Sequence, residues 1–589
     1  MFTTRPEIIG TFGVVASTHW LASAAGMAIL EQGGNAFDAA VAMGFALQVV
    51  EPHYNGPGGE VPILLHDRRR DGVEVVCGQG VAPAAATIGR FRELGLDLVP
   101  GSGLLAAVVP GAVDAWLLLL RDYGTLSLPK VMEHALSYAE RGYPVVPGIA
   151  TAIETVRTLF EDEWVSSAEL YLPQGEVPAP GSLFRNLDLA RTWRRLLAEA
   201  AAAGDDRERQ IEAARRAWRE GFIAEAIDRF CRTTEVMDTS SRRHRGLLTG
   251  DDMARWQATI EAPATFDYHG YTLCKCGSWS QGPVFLQQLA LLAGSDVGGL
   301  DPLGADFVHL VCESAKLAFA DREAFYGDPD FVEVPLDDLL GDDYSRARRK
   351  LVGKRASREL RPGTVAGRGG SVGRVREHDA TAARHHGLGS GEPVRGRGDT
   401  CHLDVIDRHG NMVSATPSGG WLQSSPVIPG LGFCLGNRAQ MFWLDEASPS
   451  ALAPGKRPRT TLTPSLALRD GEPYLAFGTP GGDQQDQWSL VFFLRHVHHG
   501  MNLQEAIDAP TFHTDHMPSS FWPREVKAAH LAIEGRFPRA TIAALKRRGH
   551  DVTVAGDWSL GRLSAASREG DILKAAANPR FMQGYAIGR

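Results

Sequence analysis

The chain has 589 residues, 44% hydrophobic and 22% charged, which is the balance of an ordinary soluble globular protein. A formal net charge of −9 at pH 7 argues against nucleic acid as a main partner. The stretch Met1 to Glu7 lacks the charged, apolar and small-residue pattern of a secretory signal, and the most apolar window, residues 104–120, is broken by Pro110, Gly111 and Asp114; a cytoplasmic protein without a membrane span is expected.

In chain order, helical periodicity is clearest over residues 21–32, 111–123, 128–142 and 307–325, interrupted by strand-like pieces at 63–66 and 73–77. Residues 205–220 read as an Arg-rich helix with a solvated face. From 346 to 399 the pattern gives way to Gly, Arg and Ser with little apolar content. Such a composition cannot bury enough surface to offset the entropy of ordering, so it reads as a flexible linker in preference to a nucleic-acid arm. Hairpins are then expected at 400–416, turning at Arg408-His409-Gly410-Asn411, at 464–478, turning at Asp470-Gly471, and at 551–577, with a helix over 486–499. Helices first and hairpins last argue against a doubly wound parallel sheet and for antiparallel layers covered by helices.

The seven cysteines, Cys77, Cys231, Cys274, Cys276, Cys312, Cys401 and Cys434, are scattered without zinc-ligand spacing and read as reduced structural thiols. Cys274 and Cys276 would share one face of a strand. The runs His496-x-His498-His499 and His513 to His516, with Asp515 between the last two histidines, match no helix-borne metal motif. Neither metal nor cofactor is expected.

The chemistry concentrates at Gly398-Asp399-Thr400-Cys401-His402. A threonine hydroxyl inside a chain has nothing to remove its proton. If the Asp399–Thr400 bond is cut, Thr400 gains an α-amine of pKa about 8 that can act as base for its own Oγ. Downstream, Gly478-Thr479-Pro480-Gly481-Gly482 offers two backbone N–H groups beside a strand end.

Around these residues lie Gly33-Gly34-Asn35-Ala36-Phe37-Asp38, Val50-Glu51-Pro52-His53 to Gly58-Gly59, Ala82-Pro83, Val109-Pro110-Gly111, Leu248-Thr249 to Asp252, and Lys316 to Arg322. Gly327-Asp328-Pro329, Gly410-Asn411 and Lys456-Arg457-Pro458 to Pro464 complete the set. In this order they resemble the γ-glutamyltranspeptidase family of N-terminal-nucleophile hydrolases, over most of the chain. The resemblance implies an α+β four-layer αββα sandwich with antiparallel sheets. It also implies two autoproteolytic fragments: residues 1–399, with 346–399 as the pre-cleavage linker, and residues 400–589. They stay associated as one unit, and a homodimer of the processed heterodimer is compatible with the family. It further implies Thr400 as nucleophile, Ser418 as a second hydroxyl near its amine, Gly481 and Gly482 as oxyanion donors, and Thr460 and Thr461 as holders of a substrate carboxylate.

Departures from the family pattern bear on the substrate. Gln79 stands where transpeptidases carry a carboxylate-gripping arginine, Gly420 replaces an asparagine, and Arg438 and Met441 replace the glutamine and aspartate that hold an α-amino group. The lid loop is shortened to residues 444–449. An ammonium group has no anionic partner among these positions, and Arg438 would repel it. The pattern is similar to the branch of oxamate amidohydrolases and cephalosporin-acylase-like proteins. The expected activity is therefore hydrolysis of a small carboxylate-bearing amide, with Arg438 as candidate carboxylate ligand. The rivals are a γ-glutamyltransferase or glutathione hydrolase and a catalytically silent scaffold.

Overall fold

In the computed structural model the described residues are 2–70, 72–365, 367–373, 375–377 and 400–589. The strands that frame the site are β1 (Ile8–Gly10), β2 (Gly13–Ser17), β3 (Val61–His66), β4 (Val73–Gly78), β5 (Thr259–Glu261), β6 (Ala264–Tyr268) and β7 (Tyr271–Lys275). They continue with β8 (Leu403–Asp407), β9 (Met412–Ala415), β10 (Ser465–Arg469), β11 (Glu472–Gly478), β12 (Ser564–Glu569), β13 (Ile572–Ala577) and β14 (Tyr585–Gly588).

They form two seven-stranded sheets, ordered β14-β2-β8-β9-β3-β4-β5 and β1-β13-β12-β11-β10-β7-β6. Every neighbouring pair in them is antiparallel. Helices Trp20–Glu31, Ala36–Val50 and Ala112–Tyr123 cover the first sheet, and Gly282–Leu292, Gln485–His499 and Leu503–Asp508 cover the second. The two sheets face each other, which is the α+β four-layer αββα sandwich.

Period-two alternation explains how one strand serves two layers. In β8, Leu403 and Val405 join the core under the helices, while Ile406 joins the core between the sheets. Asp404 shares the inter-sheet face; it accepts from Ser414 (2.9 Å) and Ser564 (2.8 Å) and lies 3.0 Å from His402 Nε2, so a polar cluster spans the two sheets. Helix Ala36–Val50 is buried on all sides, consistent with a sequence apolar but for Asp38 and Gln48, and begins at a capping box between Asn35 and Asp38.

Several expectations are corrected. Residues 551–577 are not one hairpin: β12 and β13 are, but Asp551–Ala555 pairs in parallel with His530–Glu534 across the intervening helix Arg539–Arg547. The Arg-rich helix, Arg207–Glu220, is not simply solvated. It buries Ile211, Ala214 and Trp218 and sends Arg215 to Asp114 at 2.9 Å. The first part of the run beginning at 346 is anchored: Arg348 pairs with Asp321 (3.1 Å), Gly363 N–H donates to the same carboxylate (2.7 Å), and Arg376–Glu377 pairs with Glu525–Val526. Residues 378–399, including Asp399, lie outside the described residues. Among those described, no helix is long and apolar enough to cross a membrane.

Candidate active site

Thr400 sits just before β8, fully buried, with its Oγ1 3.1 Å from Ser418 Oγ. The two residues form an antiparallel bridge, and Ser418 in turn exchanges both backbone hydrogen bonds with Glu60, at 2.9 and 3.0 Å. The backbone of the residue carrying the second hydroxyl is thus fixed by main-chain pairing. Gly419 and Gly420 follow with φ of 74° and 63°, and a Cβ on Gly420 would stand 2.8 Å from the Gly59 nitrogen. Gly420 is therefore a backbone turn packed on Gly58 and Gly59, with no room for the side chain the family carries there.

The opposing wall comes from the second sheet. After β11 the chain turns at Gly481, φ 136°, and Gly482. Their carbonyls are taken by Gln485 and Gln281, while neither N–H donates to any group among the described residues. Two free backbone donors at a strand end are the kind of group that can stabilise a tetrahedral oxyanion. Gly478, at the end of β11, leaves room for the His402 ring, since a Cβ there would lie 2.3 Å from the imidazole.

Beneath the turn lies a buried charge network. Asp483 accepts from Ser520 N–H (2.8 Å) and from Arg322, which also bonds Glu323 (2.9 Å), Gln281 Oε1 (2.9 Å) and the Pro518 carbonyl (3.1 Å). Arg459 adds a 2.6 Å bond to Glu323. Burial pushes the Glu323 carboxyl up, but Arg459, Arg322 and Arg524 outweigh it and hold its pKa at about 2. Arg524 also donates to the carbonyls of Gln440, Met441 (2.7 Å) and Phe442, fixing the turn that carries Arg438. A cleft of about 470 Å³, lined by Asp483, Phe521, Trp522, Trp558 and Phe581 among others, opens beside this wall.

Of the expected substrate ligands, Arg438 is buried and paired with Glu60, with its guanidinium 5.6 Å from the Trp421 ring centre. None of the replaced clamp positions is itself an anion, so an anionic group beside Arg438 has to come from elsewhere in the chain. Glu60 supplies one, from 378 residues away in sequence. Thr461 Oγ1 is buried without a hydrogen-bond partner, whereas Thr460 is tied by its backbone to Trp279 (3.0 Å) and Gln281 (2.8 Å). Gln79 is buried, donates to the Gly80 carbonyl at 3.1 Å and leaves Oε1 unpartnered; its hydrogen bond does not reach Thr400.

Sequence reasoning missed Glu60, Arg562, and the roles of Arg322 and Arg459. The last two lie inside quoted motifs, so the signal was present without its meaning. Other motifs prove architectural: Arg457 binds Asp328 (2.6 Å), joining two of them, and Thr249 with Asp252 is a capping box. The histidine runs are engaged elsewhere, His496 with Tyr474 (2.6 Å), His498 with Tyr268 (2.8 Å), and His513 and His530 with Asp515 (3.4 and 3.0 Å). A separate buried group, His309, Glu313 and His550, has metal-ligand chemistry. Its two imidazoles bond each other at 2.8 Å, and Lys316 (2.6 Å) and Arg361 (3.3 Å) already neutralise Glu313, so the group closes on itself. All seven cysteines are buried free thiols.

A family model described as Gamma-glutamyltranspeptidase matches residues 22–588. The chain belongs to the gamma-glutamyltranspeptidase family. Among curated relatives in this family, the "Glutathione hydrolase-like YwrD proenzyme" of Bacillus subtilis (strain 168) is 32% identical over 99% of this chain and 99% of its own. The "Oxamate amidohydrolase proenzyme" of Klebsiella pneumoniae subsp. pneumoniae is 31% identical over 98% and 99%. Among solved structures, LmbA2991HD is 58% identical with a TM-score of 0.95, covering all of both chains. The cephalosporin acylase from Bacillus halodurans is 28% identical with a TM-score of 0.84, covering 100% of this chain and 98% of that one. The protein is an enzyme of this N-terminal-nucleophile hydrolase family.

Proposed function

We propose that the chain cuts itself between Asp399 and Thr400 and that the freed Thr400 then hydrolyses a small carboxylate-bearing amide of the oxamate type. The observation that carries this reading is the Thr400–Ser418 hydroxyl pair, 3.1 Å apart, at the end of a strand and paired by backbone. In the precursor, Thr400 Oγ attacks the Asp399 carbonyl, the peptide nitrogen becomes the new α-amine, and water hydrolyses the resulting ester. In turnover, the α-amine takes the Oγ proton as the Oγ–C bond forms and passes it to the departing nitrogen as the amide C–N bond breaks. Water, deprotonated by the same amine, then releases the acyl group as a carboxylate. The N–H groups of Gly481 and Gly482 serve both oxyanions.

The substrate reading rests on the replaced clamp. Gln79 cannot form a bidentate charged pair with a carboxylate, and Glu60, the acid beside Arg438, is already neutralised by it. Arg438, with the unpartnered Thr461 hydroxyl, is the candidate grip for the carboxylate of a short acyl group. Glu60 also favours a second reading, a γ-glutamyl hydrolase or transferase. If Arg438 turned away, Glu60 could receive an α-ammonium group, and several relatives are named glutathione hydrolases.

The first test is the intact mass of the purified protein, where two fragments with the smaller beginning at Thr400 are expected. Thr400→Ala should remain one chain with activity at background. A small fragment beginning at any other residue sinks the nucleophile assignment. The second test runs parent and Arg438→Ala on carboxylated amides and on γ-glutamyl-p-nitroanilide. A loss of about ten- to a hundredfold in kcat/KM on the best carboxylated amide is expected. A γ-glutamyl anilide that outperforms the whole panel would transfer the assignment to the second reading.

A further inference from the structure

Arg562 lies two residues before β12, with 3% of its surface exposed, and Nη2 donates to the Thr400 carbonyl at 3.0 Å. Its backbone N–H donates to Thr479 Oγ1 at 3.0 Å, which ties it to the strand end that leads into Gly481. The guanidinium lies 4.2 Å from the Tyr54 ring centre and 5.5 Å from that of Phe581, and Nη1 is buried without a hydrogen-bond partner among the described residues. Arg322, Arg438 and Arg580 are equally buried, but each forms an ion pair with a carboxylate. Arg562 forms none among the described residues. A buried cation without a direct ion pair is costly, and a fold retains one where its field is used.

Building on the reading of Thr400 as an N-terminal nucleophile, we propose that Arg562 positions this residue and that its charge keeps the threonine α-amine unprotonated near neutral pH. The carbonyl oxygen and nitrogen of one residue are no more than about 4 Å apart by covalent geometry. A guanidinium bonded to the Thr400 oxygen is therefore within roughly 7 Å of the amine, close enough in a buried site to disfavour a second positive charge. A base must be free of its proton to act, so a lowered amine pKa extends activity to lower pH.

Among the described residues, no charged group around Thr400 forms an ion pair with Arg562, although Glu51 lies near enough to feel its charge. Glu60 is spent on Arg438, and Asp483 on Arg322. His402 and Asp404 bond to each other and to Thr416 and Ser564 in the inter-sheet layer. Glu51 is the carboxyl that feels Arg562: burial pushes it up and Arg562 draws it down, but its oxygens are turned to Cys401 (2.9 Å), Thr18 (2.5 Å) and Gln583 and make no ion pair with the guanidinium. His53 is driven well below the ordinary imidazole pKa, by burial first and Arg562 next, and adds no positive charge. Burial likewise holds His19 at about 3.

The test titrates the amine directly. Processed parent, Arg562→Lys and Arg562→Gln are labelled with an amine-acylating reagent across pH 5–10, and the adduct on Thr400 is read by mass on the small fragment. The parent midpoint is expected below the free-amine value of about 8. The glutamine variant should move up by about one unit and lose most activity on the acid side, while lysine, which keeps the charge, should stay near the parent. A role limited to packing would lower activity equally at all pH and leave the midpoint in place. A parent midpoint at or above about 8, or a glutamine variant that titrates with the parent, overturns the proposal. Should the glutamine variant fail to cut itself, the parent and lysine midpoints still decide. A small fragment that does not begin at Thr400 would instead defeat the functional reading on which this one stands.

Discussion

The two sides of the candidate site are built by different means. On the nucleophile side, Thr400, Ser418 and Glu60 are held by backbone pairing, continued by Cys401 N–H to the Pro417 carbonyl (3.0 Å) and Thr416 N–H to the Pro62 carbonyl (3.2 Å). On the side proposed to hold the oxyanion, Gly481 and Gly482 are held largely through side chains, Gln485 and Gln281 above a network of Arg322, Asp483, Glu323 and Arg459, with one backbone bond from Gln485 N–H to the Gly482 carbonyl (3.2 Å). A ladder of main-chain bonds tolerates a change of side chain, because none of its bonds passes through one. A charge network does not, because removing one member leaves the others buried and unpaired. This accounts for the place where the family's second hydroxyl varies: serine can stand at 418 because its position is set by the main chain.

The comparison can be broken most forcefully at Glu323. Glu323→Gln leaves Arg322, Arg459 and Arg524 short of their shared anion and should cost about 3–5 kcal/mol of stability. The pH dependence has a definite sign. The folded carboxyl titrates near 2 against an ordinary 4.5, so its contribution is complete above 4.5 and is lost as pH falls toward 2. Denaturant unfolding of parent and variant should therefore converge as pH is lowered from 7 toward 3. A gap that stays constant would show that the carboxylate is not what holds this wall.

A smaller effect is expected at the turn itself. A Cβ on Gly481 would meet the Trp488 ring at 2.8 Å, and φ there is 136°. If, as proposed, both reactions use the same oxyanion site, Gly481→Ala should displace the donors, with a loss of roughly a hundredfold in kcat and slower self-cleavage. Unchanged kcat in a processed Gly481→Ala enzyme would remove this turn from the mechanism.

The smallest effects belong to the backbone-held wall. Ser418→Thr should process and turn over close to the parent, and Ser418→Ala should slow self-cleavage by about tenfold through loss of one hydroxyl partner, with stability changed by less than about 1 kcal/mol. Time courses of fragment formation and thermal unfolding would check this. A strongly destabilised Ser418→Ala protein would mean that the side chain, and not the ladder, fixes the wall.

Much of the sandwich was legible because helix and strand periods differ and several motifs occur in a fixed order. What was hidden shares one cause: contacts between distant residues leave no local mark. Glu60 follows directly on the quoted Gly58-Gly59, but its partner Arg438 lies in the other half of the chain. Arg215 sits in a helix so charged that solvent was the natural assignment, yet its two 2.9 Å bonds to Asp114 carry it inside. Asp551–Ala555 alternates like a hairpin arm, but its partner is a parallel strand across a helix, a choice that alternation alone cannot make. Arg562 carried no signal at all; only its distance to the Thr400 carbonyl singles it out.

The order of strands also decides what a cut before Thr400 could do to the assembly. In the first sheet, β2 lies between β14 and β8, and β9 abuts β3; in the second, β1 pairs with β13 and β7 with β10. Each of these seams joins a strand before position 400 to one after it. The two pieces are therefore woven together and not merely docked, and parting them would require unzipping both sheets. Nicked molecules should survive dilution and exchange no pieces with one another, so that the break frees a new chain end without creating a subunit that can leave.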